Sequence, residues 1–403
     1  MATRKHILII GGGIAGPLTA LALHKAGISS TIYEAYETTA DGVGGMLVVA
    51  PNGLDALRIV DVDTSGLGQA VPRMVMQDAR GKRLGEFAGL PGLPASRAML
   101  RSELYRALHD QATAHGIRIE SGKRLVRVEE SSVRVVACFA DGSAATGDAL
   151  VGADGIRSTV RTLVDPEAPG PSYVGLLGFG GYATGLGPVA DSHTMHFAFG
   201  ERAFFGYWTE PGGRSPWFSN LPHPSPLTLA QAREVSPADW LAQLRAQHAD
   251  DVPGRELVEH TSPDQLLVLG GLEIMPKVPR WHRGRMVLVG DAAHAPSSSS
   301  GQGASLAAES AIQLARCLRD LPDVETAFAA YEALRRPRVE RVAADAARVN
   351  STKALGPVAK AVMRVLMPIA MKTFLKPERR FGPVHGYRID WEQQLDGVAV
   401  GKA

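Results

Sequence analysis

The sequence predicts an α/β fold: a Rossmann-like dinucleotide-binding domain interrupted by an inserted antiparallel β-sheet domain and followed by C-terminal helices. Three observations predict it. A strand, glycine turn, helix and second strand open the chain. Residues 170–275 switch to short apolar runs broken by Gly and Pro, as in Thr194–Phe199 and Ala203–Trp208. After Pro276 the pattern returns to strand, glycine loop and long helix.

The opening unit is the most specific of these. Ile7-Leu8-Ile9-Ile10 is a short apolar run of the kind that forms a buried parallel strand. It leads straight into Gly11-Gly12-Gly13-Ile14-Ala15-Gly16. Gly11 permits the tight turn, Gly13 lets a pyrophosphate approach the backbone, and Gly16 lets the next helix pack close on the strand. The helix N-terminus offers unpaired N–H groups and a partial positive charge, and Pro17 is tolerated there. The second strand, Ser30 to Tyr33, ends at Glu34-Ala35, where a carboxylate can accept hydrogen bonds from a ribose. The glycines alone also suit a structural turn; the strand–turn–helix–strand–Glu context favours a dinucleotide.

Composition bounds the rest. The chain has 403 residues, enough for two domains. Lys+Arg 43 against Asp+Glu 41 leaves a net charge of +2, which gives no electrostatic case for nucleic acid. Cys138 and Cys317 are far apart and lack metal-ligand spacing. They predict packing roles, no disulfide framework, no bound metal and a cytoplasmic location. Val358–Leu375 is apolar but carries Lys360, Arg364, Pro368 and Lys372, so it predicts an amphipathic helix rather than a transmembrane segment.

The pattern changes divide the chain into a discontinuous nucleotide domain of residues 1–70, 96–168 and 276–350, a substrate domain of 71–95 and 169–275, and a helical segment of 351–403. Within the first, a glycine-rich connection ending at Gly44-Gly45 leads to Pro51-Asn52-Gly53. Ala98 to His115 has helical spacing through Leu100, Leu104 and Leu108, and Ser305 to Asn350 reads as helical throughout.

Two further motifs narrow the nucleotide. Ala149-Leu150-Val151-Gly152-Ala153-Asp154-Gly155 and Met286-Val287-Leu288-Val289-Gly290-Asp291 each place an Asp at the carboxyl end of an apolar strand, where open α/β sheets bind ligands. Either Asp alone suits a loop cap. The second motif continues to Gly301-Gln302-Gly303-Ala304, which opens a long helix whose N–H groups can stabilise negative charge.

This set, in this order, resembles the single-component FAD-dependent aromatic hydroxylases, the para-hydroxybenzoate hydroxylase family, over most of residues 5–350. The resemblance implies non-covalent FAD. Gly11, Gly13, Ile14, Ala15, Gly16, Glu34 and Ala35 match the ADP-binding turn, and Leu125 a strand position meeting the adenine. Arg101 matches a helix arginine on the phosphate and ribityl side, although an ordinary surface arginine is the other reading. Gly45 lies in the glycine connection, Asp154 matches a motif linked to FAD and nicotinamide, Asp291 the ribityl contact, and Gly301, Gly303 and Ala304 the loop facing the ring. The chain departs from the family pattern at Pro296, followed by four serines, at Ser305, and at Glu309-Ser310.

The resemblance also implies an activity: NADPH or NADH reduces FAD, and one atom of dioxygen enters an aromatic or polyketide-like small molecule, with no partner reductase. His196, in the sheet segment MHFAF, is the candidate base for a phenolic proton, with a structural histidine as the plainer reading; Tyr182 and Tyr207 are weaker candidates. Lys is absent from Gly170 to Met275 and aromatic residues concentrate there, which predicts a largely neutral, planar substrate. Two other classes stay open at this point: a non-oxygenating FAD oxidoreductase and a non-catalytic FAD-binding protein.

Overall fold

The computed structural model describes residues 5–37, 44–351 and 377–395, with residues 362 and 366 between them. Its central sheet has six strands. In spatial order they are His282–Arg283, Met286–Leu288, Ala149–Gly152, His6–Ile10, Ser29–Tyr33 and Arg118–Glu120. The last five run parallel and only the edge strand His282–Arg283 is antiparallel. Ile7, Leu8, Ile9, Leu150, Val151, Val287 and Leu288 are wholly buried, which is why these strands read as unbroken apolar runs rather than alternating ones.

The motif strands are neighbours. Ile10 pairs with Gly152, and Gly152 with Leu288, so the turns after all three strands emerge at one edge of the sheet. Helix Ala15–Lys25 follows the first strand and helix Gly303–Asp320 the loop after the third. Both are buried along most of their length and pack on each other.

The second large sheet has seven strands: Leu266–Ile274, Ser172–Ala183, Ser215–Pro222, Phe204–Tyr207, Thr194–Phe199, Arg73–Asp78 and Arg83–Ala88. It is antiparallel except where Thr194–Phe199 runs beside Arg73–Asp78. Helices Leu229–Glu234, Pro237–Gln247 and Gly254–Glu259 belong to the same stretch of chain. Smaller three-stranded sheets comprise Met46–Val49, Ser96–Leu100 and Gln69–Val71, and Leu125–Glu130, Val135–Phe139 and Ala144–Gly147.

Two elements differ from the sequence expectation. Residues 96–100 form the middle strand of a small sheet, and the helix begins only at Arg101. Ala98 and Met99 are both buried, so the leucine spacing that reads as one helix straddles a strand and a helix. The run 305–350 is two helices, Gly303–Asp320 and Val324–Ser351. They are parted where Pro322 cannot continue the first and Asp323 caps the second by accepting the Thr326 N–H at 2.8 Å.

Of the C-terminal segment, helix Pro377–His385 and residues 386–395 are described. Phe381 meets Phe87 of strand Arg83–Ala88 at 5.1 Å, and the Arg319 guanidinium of helix Gly303–Asp320 lies 4.6 Å over the Trp391 ring. The amphipathic stretch 358–375 lies outside the described residues apart from Val362 and Leu366, both exposed. Among the described residues no helix is long and apolar enough to cross a membrane.

Candidate active site

The glycine turn admits no other residue at two positions. Gly11 has φ +107°, and a Cβ there would lie 2.4 Å from the Ala153 carbonyl oxygen. A Cβ on Gly16 would lie 1.9 Å from the Gly11 carbonyl oxygen. Gly13 is different: the nearest atom to a Cβ is the Arg101 Nη2, at 3.5 Å. Its backbone therefore lies open beside a guanidinium, one residue before Ile14 and the helix that starts at Ala15.

Glu34 closes the rim of this turn. Its carboxylate accepts the Gly12 N–H at 2.6 Å and the Tyr36 N–H at 3.0 Å. The Lys123 N–H donates to the Glu34 carbonyl at 2.7 Å, which brings the strand beginning at Leu125 alongside Ala35. His109 Nε2 donates to the Gly12 carbonyl at 2.6 Å; the sequence reading missed this support, which comes from the helix that Arg101 opens.

Arg101 is placed by two glycines. Its backbone N–H donates to the Gly45 carbonyl at 3.0 Å. Its stem runs past Gly44, where φ is +113° and a Cβ would lie 2.8 Å from the Arg101 Cδ. The helix start is fixed by Glu103, whose carboxylate accepts the Leu100 N–H at 2.7 Å.

Asp291 lies across from Arg101. Gly290, with φ +62°, lets this turn approach the first helix so closely that a Cβ would stand 2.7 Å from the Ala15 Cβ. Asp291 is solvent-exposed, yet protein crowds the carboxyl group closely enough to strip much of its water. That desolvation, opposed by the Arg101 charge, pushes its pKa up to about 6. A carboxylate beside a guanidinium, with no protein hydrogen bond among the described residues, is suited to accept hydroxyl hydrogen bonds from a ligand.

Asp154 is used differently. Its carboxylate accepts the Ser158 hydroxyl and, at 3.1 Å, the Val160 N–H, so it anchors the start of helix Thr159–Val164. Desolvation raises its pKa against those bonds. These bonds fit the loop-cap role. Arg161, overlooked as a site residue, ties the two Asp motifs together, donating to the Ala292 carbonyl at 3.1 Å and the Ile156 carbonyl at 2.8 Å.

The third loop faces strand Met46–Val49. Gly301 has φ +59°, and a Cβ there would lie 3.9 Å from the Val48 Cβ. Gly303 opens the helix, followed by Ala304, and nothing lies within 4 Å of a Cβ built on Gly303. Behind this loop is a buried polar network. Asn52 Nδ2 donates to Gln302 at 2.9 Å and to Glu309 at 2.6 Å. Glu309 also accepts from Arg335 at 2.8 Å and, through both oxygens, from Arg338 at 2.7 Å. Burial alone would raise the Glu309 pKa, and the Arg335 and Arg338 guanidiniums outweigh it and lower it. Ser310 meets Nε2 of His294 at 3.0 Å and accepts from Arg335 at 3.2 Å, so Glu309-Ser310 forms a working pair. His294 is buried and held neutral, its pKa pushed down to about 3 by desolvation.

Open backbone at Gly13 and Gly303, the Arg101 cation beside Gly13 and acting on Asp291, and carboxylates at Glu34 and Asp291 form a donor set that fits FAD. The first glycine turn and the guanidinium suit a diphosphate, and the carboxylates suit the two sets of sugar hydroxyls. Comparison with known proteins agrees. Residues 4–346 match the family model described as an FAD binding domain. The chain belongs to this family of FAD-dependent monooxygenases. It is 30% identical over 339 residues to the FAD-dependent urate hydroxylase of Klebsiella pneumoniae, covering 82% of this chain and 86% of that protein. It is 29% identical over 361 residues to the aurachin C monooxygenase/isomerase of Stigmatella aurantiaca, covering 87% and 90%. A crystal structure of a variant of Klebsiella pneumoniae HpxO complexed with FAD superposes with a TM-score of 0.81 at 26% identity, over 94% of this chain and 96% of that one.

In this FAD-dependent monooxygenase the seven-stranded sheet turns one face to the flavin loop. Met195, Trp208, Phe197 and Phe218 cluster with Met46, Val48, Val71 and Ala98 on that side. Leu269 lies against Gly45. The opposite face carries Phe205, Tyr207 and Trp217 and packs on Trp240, Leu241 and Leu244 of the helices.

His196 belongs to the helix-covered face. It pairs with Tyr207, stacks on it at 4.8 Å and contacts Gln77 Oε1 through Nδ1 at 3.2 Å. Burial lowers its pKa. The structure therefore does not bring His196 together with the other candidate residues, and it corrects the expectation of a base: alternation along the strand points Met195 and Phe197 to the flavin loop and His196 away from it. Tyr207 goes with His196. Tyr182 pairs with Pro216 and lies on the flavin side.

Proposed function

We propose that this monooxygenase takes electrons directly from NADPH or NADH, with no partner reductase, and inserts one atom of dioxygen into a largely neutral, planar aromatic or polyketide-like small molecule. The observation that carries this reading is the apolar, aromatic sheet face continuous with the flavin loop, on a stretch of chain with no lysine between Gly170 and Met275. The relatives' names support it, since they include urate hydroxylases and a 3-amino-4-hydroxybenzoate 2-monooxygenase.

FAD, when bound, supplies the hydride acceptor and the oxygen-activating ring. The chain supplies position and field. Gly11, Gly13, Ile14, Ala15 and Gly16 would hold the diphosphate, with Glu34, Ala35 and Leu125 at the adenosine end. Gly45, Arg101 and Asp291 would hold the ribityl side. Gly301, Gly303 and Ala304 would face the ring, where helix N–H groups stabilise negative charge. The aromatic sheet face excludes water from the reacting centre. Residues 1–70, 96–168 and 276–350 act as the cofactor unit, and 71–95 with 169–275 as the substrate unit. Two free cysteines, one buried, suit a cytoplasmic setting.

Anaerobic mixing of the FAD-loaded protein with NADPH or NADH tests the electron supply. Bleaching of the flavin absorbance by one of them, without a second protein, is expected. No bleaching by either, with aromatic substrates present, contradicts direct reduction.

A further inference from the structure

Tyr182 and Pro216 lie on neighbouring strands, and Trp208 stands abreast of them just past the end of the next strand, Phe204–Tyr207. Tyr182 pairs with Pro216, and the Trp208 backbone N–H donates to the Pro216 carbonyl at 3.2 Å. Directly opposed residues of antiparallel strands share a face. All three therefore point the same way as Phe218 and Phe197, toward the flavin loop. Two strand spacings separate Tyr182 from Trp208 by about 10 Å across the compact Pro216 ring.

Both aromatic residues are nearly buried, at 8% and 3% exposure. Neither the Tyr182 hydroxyl nor the Trp208 Nε1–H has a protein hydrogen-bond partner among the described residues, and neither polar atom is completely enclosed. Polar tips of buried aromatics normally find partners. Two such tips, on one apolar face and both reaching accessible space, mark places for a ligand's acceptors.

The surroundings fix the donors' character. The Arg214 guanidinium lies 4.4 Å over the Tyr182 ring and is itself held by Glu210 at 2.6 Å. Desolvation pushes the Tyr182 phenol up to about 12, so it stays protonated near neutrality and donates rather than acting as a base. Indole N–H can only donate. On the same face Gly206 lies under the Phe218 ring and Gly178 under Leu272 and Leu269, so these glycines let the covering side chains sit close on the sheet.

We propose that Tyr182 and Trp208 are the specificity-determining pair of this enzyme, donating hydrogen bonds to ring oxygens of a fused planar substrate that lies against Phe218 and Phe197. The inference rests on the monooxygenase reading and sharpens its substrate class to oxygenated fused aromatics carrying carbonyl acceptors, rather than plain hydrocarbons or small anionic acids.

The test titrates the FAD-loaded protein with 4-hydroxyquinoline, which presents a ring carbonyl in its quinolone form, and with quinoline, which has none. Binding is read from the perturbed flavin absorbance. Wild type is expected to prefer 4-hydroxyquinoline by at least about tenfold. Trp208→Phe and Tyr182→Phe should each remove most of that preference while leaving quinoline affinity, FAD content and thermal stability near wild type. No preference in the wild type, failure to bind either ring, or a preference that survives in both variants overturns the proposal. Reduction by NADPH or NADH without either probe tests the broader reading separately.

Discussion

A Cβ atom on Gly16 would stand 1.9 Å from the carbonyl oxygen of Gly11, so the helix that carries the cofactor-binding N-terminus can seat on its strand only with glycine there. Gly16→Ala and Gly11→Ala should each lower stability by about 1–3 kcal/mol and abolish flavin retention. Gly13→Ala has room for its methyl group and should keep the fold while weakening FAD binding, because it intrudes where the phosphate approaches. Thermal melts and the flavin-to-protein absorbance ratio of the three variants check this. Equal melting losses in all three would contradict it.

Asp291→Ala should weaken FAD binding by about 1–3 kcal/mol through loss of a charged acceptor. The pH dependence has a definite sign. Desolvation raises the Asp291 pKa to about 6, so the acceptor carboxylate forms as pH rises through that value. FAD affinity should therefore increase from pH 5 to pH 7 in the wild type and stay flat across that range in Asp291→Asn. Fluorescence titration with FAD measures both; a wild-type affinity independent of pH would exclude Asp291 from the contact.

Glu309 is buried and accepts from Asn52, Arg335 and Arg338. Removing its carboxylate leaves Arg335 charged and enclosed, so Glu309→Ala should cost about 3–5 kcal/mol. Because the folded-state pKa of Glu309 is lowered, its contribution is fully present above the ordinary glutamate range and is lost as pH falls below it. Denaturant melts at pH 7 and below pH 4 should show a large difference between wild type and variant only at the higher pH.

Much of the cofactor side was legible in the sequence because its signals are local. Glycine spacing, an apolar run and a terminal carboxylate fall within a few residues of each other, and each has a backbone reason. The substrate side was not, because both faces of the seven-stranded sheet are covered. Thr194 and His196 alternate with Met195 and Phe197, but that alternation does not say which face meets the flavin loop, and only the register with Tyr207 and Gly206 places His196 on the far side. The Glu309 network was invisible for another reason: Asn52, Glu309, Arg335 and Arg338 come from three distant segments. Residues 96–100 misled because Leu100, Leu104 and Leu108 keep helical spacing across a strand end.

Asp154 gives a prediction that separates structural from catalytic readings. Its bonds to Ser158 and Val160 make it a helix anchor, so Asp154→Ala should lower stability by about 1 kcal/mol. Flavin reduction should slow only as far as the local structure loosens. A reduction rate that collapses with an unchanged melting temperature would instead make Asp154 a direct nicotinamide contact.

The most direct measurement is the fate of labelled dioxygen. The FAD-loaded protein, supplied with NADPH or NADH and an oxygenated fused aromatic that stimulates nicotinamide oxidation, is incubated under ¹⁸O₂ and its product weighed by mass spectrometry. One ¹⁸O atom per product molecule is the predicted result. Substrate oxidised without label, or nicotinamide consumed only to peroxide with every aromatic tried, would contradict the assignment of this chain as an oxygen-inserting enzyme.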